Sequence, residues 1–135
     1  MGTIKNFEDI EVWKMSRELV NLIYSDFRKC RDFTFKDQIT RAGVSSMNNI
    51  SEGFCRNSDA EFRNFLNFSK GSTGEIKSMY YIAEDQNYVS SETAVDRRNK
   101  AQKLINGNSS FMKYLKSGKK QNTRPFDQKT ARPPD

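Results

Sequence analysis

The sequence predicts an all-α protein built as an up-down four-helix bundle. Three observations predict it. Apolar residues recur every three to four positions along four long stretches, nothing alternates with a period of two, and the connections between stretches are short. A chain of 135 residues fits one domain, and at 35% hydrophobic content its core is small enough that self-association is a natural source of stability.

The first helix is predicted from Phe7 to about Arg31. Phe7, Ile10, Trp13, Val20, Tyr24 and Phe27 form one apolar stripe and Val12, Met15, Leu19, Leu22 and Ile23 a second. Two stripes make a broad sector, which fits either a wide core face or a subunit interface. After Asp32-Phe33-Thr34 a second helix is predicted from about Phe35 to Phe54. Its inner face is Phe35, Ile39, Gly43, Met47, Ile50 and Phe54, with Gly43 at a close helix approach. Ser58-Asp59-Ala60-Glu61 reads as a capping box that opens a third helix running to about Asn87. The period of Phe62, Phe65, Leu66, Ser69, Thr73, Ile76, Tyr80 and Ala83 passes through Gly71-Ser72-Thr73-Gly74 without a slip. That stretch is therefore expected to be a helical seam of close backbone contact rather than a turn. Ser90 or Ser91 caps a fourth helix marked by Ala94, Ala101, Leu104, Ile105, Met112 and Leu115. Asn106-Gly107-Asn108 is a weak point within it, because the period resumes beyond. The bundle domain is assigned to 1–116. Residues 117–135, with three prolines and many charges, are expected to be a disordered basic tail.

Net charge is +6, but it is unevenly placed. Residues 116–135 carry six cations against Asp127 and Asp135, or +4, which leaves +2 for 1–115. High pI alone is thus a weak argument for nucleic acid. The chain has no His, so the commonest general base and metal ligand are missing. No phosphate-cradling glycine loop, nucleophile elbow or zinc spacing is present, and the acidic groups Glu8-Asp9-Glu11 and Glu84-Asp85 lie at helix ends. The first group suits a helix start; the second, at a helix end, has no explanation in the sequence. No enzymatic activity and no cofactor or metal are expected. Cys30 and Cys55 read as small buried free thiols, and with no signal peptide, lipidation pattern or membrane-length run a cytoplasmic location is expected.

Two surfaces are candidates for contact with a partner. On the second helix, Arg41, Ser45, Asn48 and Glu52 fall within about a quarter-turn, with Asn49 beside them. They form either a recognition face or a solvated one in which Arg41 and Glu52 pair with other helices. On the third, Arg63, Lys70 and Lys77 are seven apart and make a basic stripe able to follow phosphates. Such stripes also occur on ordinary helix exteriors, and Glu75 and Glu84 lie near enough to dilute this one.

Three segments together resemble a known family: Phe7-Glu8-Asp9-Ile10-Glu11-Val12-Trp13; Arg41-Ala42-Gly43-Val44-Ser45 with Asn49-Ile50-Ser51-Glu52-Gly53-Phe54 and Arg56; and Lys70-Gly71-Ser72-Thr73-Gly74-Glu75. In this order and spacing, over residues 5 to 116, the chain is similar to the bacterial four-helix-bundle proteins encoded within intervening sequences of 23S ribosomal RNA. The resemblance implies a four-helix protomer in a homopentameric ring, with Gly71, Gly74 and Gly107 inside helices. It also implies a relation to the accessory proteins of diversity-generating retroelements, which bind nucleic acid and a reverse transcriptase through a positively charged ring. The sequence departs from the family pattern at Met47, where many members have proline, and after Lys116. The expected function is a non-catalytic oligomeric scaffold for RNA, ribosomal RNA among the candidates. Arg41, Asn49, Arg56, Arg63, Lys70, Lys77, Lys116, Lys119 and Lys120 would meet the phosphates. The alternative is a protein-interaction adaptor such as an accessory subunit of a reverse transcriptase.

Overall fold

A computed structural model of the chain describes residues 4–117. It contains a 3₁₀ turn, Phe7–Asp9, and four helices: α1 Glu11–Asp26, α2 Phe33–Phe54, α3 Asp59–Asp85 and α4 Ser91–Ser117. Helices α2 and α4 each pack against both α1 and α3, so the four close into a square with consecutive helices as neighbours. Ile23, Ile39, Ile50, Phe62, Leu66, Ile76, Tyr80 and Leu104 fill the centre.

The first apolar stretch is broken where continuity was expected. Ile10 is extended (φ −78°, ψ 126°) and buried, and its amide donates to the Phe7 carbonyl. This kink lets the Phe7 ring meet Trp13 at 5.2 Å. The helix also stops at Asp26 rather than near Arg31. Phe27 leaves helical geometry and inserts between Phe35 and Tyr80, with centroids at 5.3 and 5.5 Å. The second helix begins at Phe33, two residues early, because the Asp32 carboxylate accepts from the Phe35 amide at 3.1 Å.

On α2 the expected inner face is buried except for the half-buried Met47, and Ala42, Ser46 and Gly53 join it. Gly43 does mark a close approach, since a Cβ there would lie 3.0 Å from Ile23 Cδ1. Ser58 caps α3 by accepting from the Glu61 amide at 3.2 Å. The Glu61 carboxylate accepts from the Ser58 hydroxyl at 3.3 Å, where a box would have it reach the Ser58 amide. Helix α3 ends at Asp85, two residues before the expected end, and Asn87 follows in the left-handed region (φ 62°). Ser90 caps α4, its hydroxyl accepting from the Thr93 amide at 3.1 Å. Helix α4 runs unbroken through Gly107, which faces Val12 so closely that a Cβ would sit 2.8 Å from Val12 Cγ1.

Gly71 and Gly74 lie within α3, but not in the close seam that their small size suggested. Nothing stands within 4 Å of the position a Cβ would take at either, because both point away from the bundle. The cysteines also depart from expectation: Cys30 is half-buried in the α1–α2 connection and Cys55 is exposed at the end of α2. Of the expected tail, 117–135, Ser117 is the last residue of α4 and the rest lies outside the described residues. Among the described residues no helix is long and apolar enough to cross a membrane.

Candidate nucleic-acid interface

Helix α3 has two lateral edges. Toward α2, Glu75 accepts from Gln38 Nε2 at 3.1 Å, and the Ser72 and Ser45 hydroxyls meet at 2.9 Å. Toward α4, Lys77 Nζ donates to Gln102 Oε1 at 2.7 Å, and Gln102 in turn donates to Asn106 at 2.9 Å. The seven-residue spacing therefore places Arg63, Lys70 and Lys77 along the α4 edge, opposite the α2 residues. Arg63 and Lys70 are half-buried and have no hydrogen-bonding or ionic partner among the described residues. The Phe62–Phe111 ring contact at 5.2 Å sets the register, so that Lys116 and Arg63 share one end of the α3–α4 pair. Lys119 and Lys120 follow Lys116 in sequence but lie outside the described residues.

The two acidic residues expected to dilute this stripe do so less than their spacing suggests. Glu75 is turned to the other edge by Gln38. Glu84 is occupied by Arg98 Nη1 at 2.8 Å, and hydrogen bonds from Ser91 and Arg98 hold its carboxyl below the usual carboxylate range. This also explains an acid at a helix C-terminus: two donors from α4 satisfy it. The Arg98 guanidinium in turn lies 3.9 Å from the Tyr81 ring centroid.

Arg41 and Asn49 are engaged within α2, whereas Arg56, just beyond its end, reaches both Glu52 of α2 and Phe65 of α3. Arg41 pairs with Asp37 at 3.0 Å, one turn earlier, while its side chain stays 80% exposed. Arg56 pairs with Glu52 at 2.7 Å, and its guanidinium carbon lies 4.8 Å from the Phe65 ring centroid. Asn49 donates to the Ser45 carbonyl and hydroxyl at 2.8 and 3.0 Å, extending the polar contact between α2 and α3. The structure thus divides the predicted residues between two faces. Arg63, Lys70, Lys77 and Lys116 form one line along α3–α4; Arg41, Asn49 and Arg56 lie apart from it.

The motif segments, Arg41-Ala42-Gly43-Val44-Ser45 with Asn49-Ile50-Ser51-Glu52-Gly53 and Gly71-Ser72-Thr73-Gly74-Glu75, sit on adjacent helices, joined by the Ser45–Ser72 hydroxyl contact. The family model of the 23S rRNA-intervening sequence proteins matches residues 8–109 and spans both. The chain belongs to the 23S rRNA-intervening sequence protein family. Its bundle is similar to a solved protein of unknown function from the S23 ribosomal protein family of Bacteroides thetaiotaomicron. That structure is 25% identical, with a TM-score of 0.69 over 76% of this chain and 98% of the other. No curated protein matches the sequence. Of these motif residues, Ser45, Ser72, Thr73 and Glu75 join α2 to α3, whereas Arg41, Gly71 and Gly74 face outward.

Two polar constellations went unread in the sequence. Arg97 of α4 makes a two-pronged ion pair with Asp26, Nε and Nη2 each 2.8 Å from a carboxylate oxygen, and Tyr80 donates to the same carboxylate at 2.7 Å. Burial, then the hydrogen bond to Asp26, pushes the Tyr80 hydroxyl pKa well above the usual tyrosine range; the Asp26 contact likewise raises Arg97. The second is a buried hydroxyl cluster. Ser46 and Thr73 meet at 2.8 Å, Ser69 donates to the Ser46 carbonyl at 2.7 Å, and Asn108 Nδ2 donates to Ser69 at 3.1 Å. A signal existed for both: Asp26 follows Leu19 and Ile23, and Arg97 and Asn108 share the phase of Ala94, Ala101, Leu104 and Leu115, so all three were polar residues on inward positions.

Proposed function

We propose that this protein is a non-catalytic, self-associating scaffold that binds RNA along the α3–α4 edge and through the lysines beyond it. The observation that carries the reading is the line Arg63, Lys70, Lys77 and Lys116. Two of these cations lack internal partners, and the neighbouring acids are turned away or neutralised. Phosphate contact would supply the affinity, with little base reading from this edge. The family's own description refers to 23S rRNA, which makes structured ribosomal RNA a natural first ligand to test.

Self-association, with a pentamer as the proposed state, is supported by apolar surface that one protomer leaves in water. Phe68, Tyr81, Ile82 and Val95 on α3 and α4 are each 45–52% exposed. Light scattering at micromolar concentration tests it, and a mass near the 15.7 kDa monomer overturns it. RNA binding is tested by fluorescence anisotropy over a salt series. Salt-sensitive binding that weakens when Arg63, Lys70 and Lys77 are changed to Gln is the expected result. No binding even at low salt removes the RNA reading and leaves a protein adaptor as the function to pursue.

A further inference from the structure

The bundle carries a second group of cations apart from the α3 stripe. Residues 24–41 carry Arg28, Lys29, Arg31, Lys36 and Arg41 against Asp26, Asp32 and Asp37, a net of 5 − 3 = +2. The three acids are moreover occupied: Asp26 by Arg97 and Tyr80, Asp32 by Tyr88 and the Phe35 amide, Asp37 by Arg41. Arg28, Lys29 and Arg31 are exposed and their side chains have no partner among the described residues.

In the midst of these cations lie two large aromatic side chains that the bundle does not use. Phe33 is 69% exposed, the most exposed of the large hydrophobic residues in the described chain, and Tyr24 is 50% exposed. They line one groove of about 730 Å³ between α1 and the start of α2, together with Thr34, Lys36, Asp37, Gln38, Thr40 and Arg41. The exposed Tyr81 of α3 already has the Arg98 guanidinium 3.9 Å from its ring centroid, and the α1–α4 groove is bordered by Asp9 and Glu11. Exposed rings among cations have a specific physical use: a nucleobase stacks on the ring while the backbone phosphates on either side meet the cations. A base inside a duplex is already stacked and cannot reach such a ring, so the ligand must be single-stranded.

We propose that the Tyr24–Phe33 groove is a stacking platform for unpaired bases, with Lys36 and Arg41, which line it, holding the flanking phosphates. This rests on the reading that the protein binds RNA, and adds that single-stranded segments dock on α1–α2 while the α3–α4 edge follows backbone alone. The Arg41–Asp37 pair does not prevent it, because it is a surface pair one helical turn apart and weak enough to exchange partners.

The test is anisotropy with full-length protein, a labelled 12-nucleotide single-stranded oligoadenylate and an RNA duplex of the same length. Changing both Tyr24 and Phe33 to Ala should weaken single-strand binding about tenfold or more, while duplex binding and the salt slope stay as they were. Tyr24→Phe with Phe33→Tyr should retain wild-type affinity. If wild-type protein binds single strands and the double alanine variant binds them equally well, the platform is overturned and RNA binding stands. Equal loss on the duplex also overturns it. If wild-type protein binds no RNA at low salt, the underlying function fails and takes the platform with it. If the alanine variant loses oligomeric mass in light scattering, the groove is a contact with another copy and the inference is overturned.

Discussion

The inward and outward sides of α3 differ in what the fold does with polar and small residues. Inward, Ser69, Thr73 and Tyr80 are all fully buried, and each hydroxyl is hydrogen-bonded. Outward, Gly71 and Gly74 face open space, Phe68 and Tyr81 are about half exposed, and Lys70 has no partner among the described residues. The inward set is explained by the protomer. The outward set is not, and residues that the protomer leaves unused are where assembly or a ligand is to be sought. Charge counts read from the sequence do not make this separation, since Arg97 and Lys70 count alike.

The largest effect should come from the inward side. Arg97→Ala leaves the Asp26 carboxylate, 8% exposed, with one hydrogen bond in place of a two-pronged ion pair. Breaking such a pair costs about 3 kcal/mol, read as a lower denaturant midpoint. A loss below about 1 kcal/mol would mean that water or another cation replaces the guanidinium, and the contrast between the two sides would weaken. Next, Gly74→Ala should raise stability by about 0.5–1 kcal/mol, because helix propensity improves and nothing stands where the Cβ goes. Gly53→Ala is its inward counterpart and should destabilise, since its Cβ would lie 2.7 Å from Phe65 Cβ. If Gly74→Ala instead lowers the oligomeric mass, the outward glycines are covered by another copy.

Changing Arg63, Lys70 and Lys77 to Gln should shift stability by less than about 0.5 kcal/mol, apart from the Lys77–Gln102 bond. It should lower the log–log salt slope for duplex RNA by about 2–3, at ~0.9 per phosphate contact. An unchanged slope removes this edge from the interface. The smallest effects are those of pH. Hydrogen bonds from Tyr88 and the Phe35 amide hold Asp32 low, and donors from α4 hold Glu84 low, so their stabilisation is present above the ordinary carboxylate pKa and is lost as pH falls through the depressed values. Tyr88, hydrogen-bonded to Asp32, is pushed up to about 12. Its contribution is complete below the ordinary tyrosine value near 10 and is lost as pH rises toward 12. Thermal melts across pH should show this alkaline loss, and Tyr88→Phe should diminish it.

Much of the bundle was legible because helical periodicity is a local property. The burial of Ile39, Ile50, Phe62 and Ile76 and the caps at Ser58 and Ser90 depend on residues three or four apart. The breaks were less legible: Phe27 leaves helical geometry to pack between Phe35 and Tyr80, and Tyr80 lies on another helix far along the chain. The candidate site was read least well. Seven-residue spacing correctly grouped Arg63, Lys70 and Lys77 on one side of α3, but could not say which neighbouring helix that side would meet. Tyr24 was read as part of an apolar stripe and Phe33 as part of a connection, so the groove they line was not anticipated.

By itself the sequence determined four amphipathic helices, the caps of the third and fourth, and membership of a family marked by its Arg41–Phe54 and Lys70–Glu75 segments. It also determined the uneven charge, since the sum over any segment does not depend on folding. Only the tertiary structure decided which glycines meet a neighbour and which charges are consumed. Gly43, Gly53 and Gly107 meet side chains on other helices, whereas Gly71 and Gly74 do not. Asp26 and Arg97, 71 positions apart, neutralise each other, and Arg63 and Lys70 stay unpaired. The physical reason is range. Helix period and capping act within a few residues along the chain, while steric fit and ion pairing act over a few ångströms in space, and only packing converts one distance into the other.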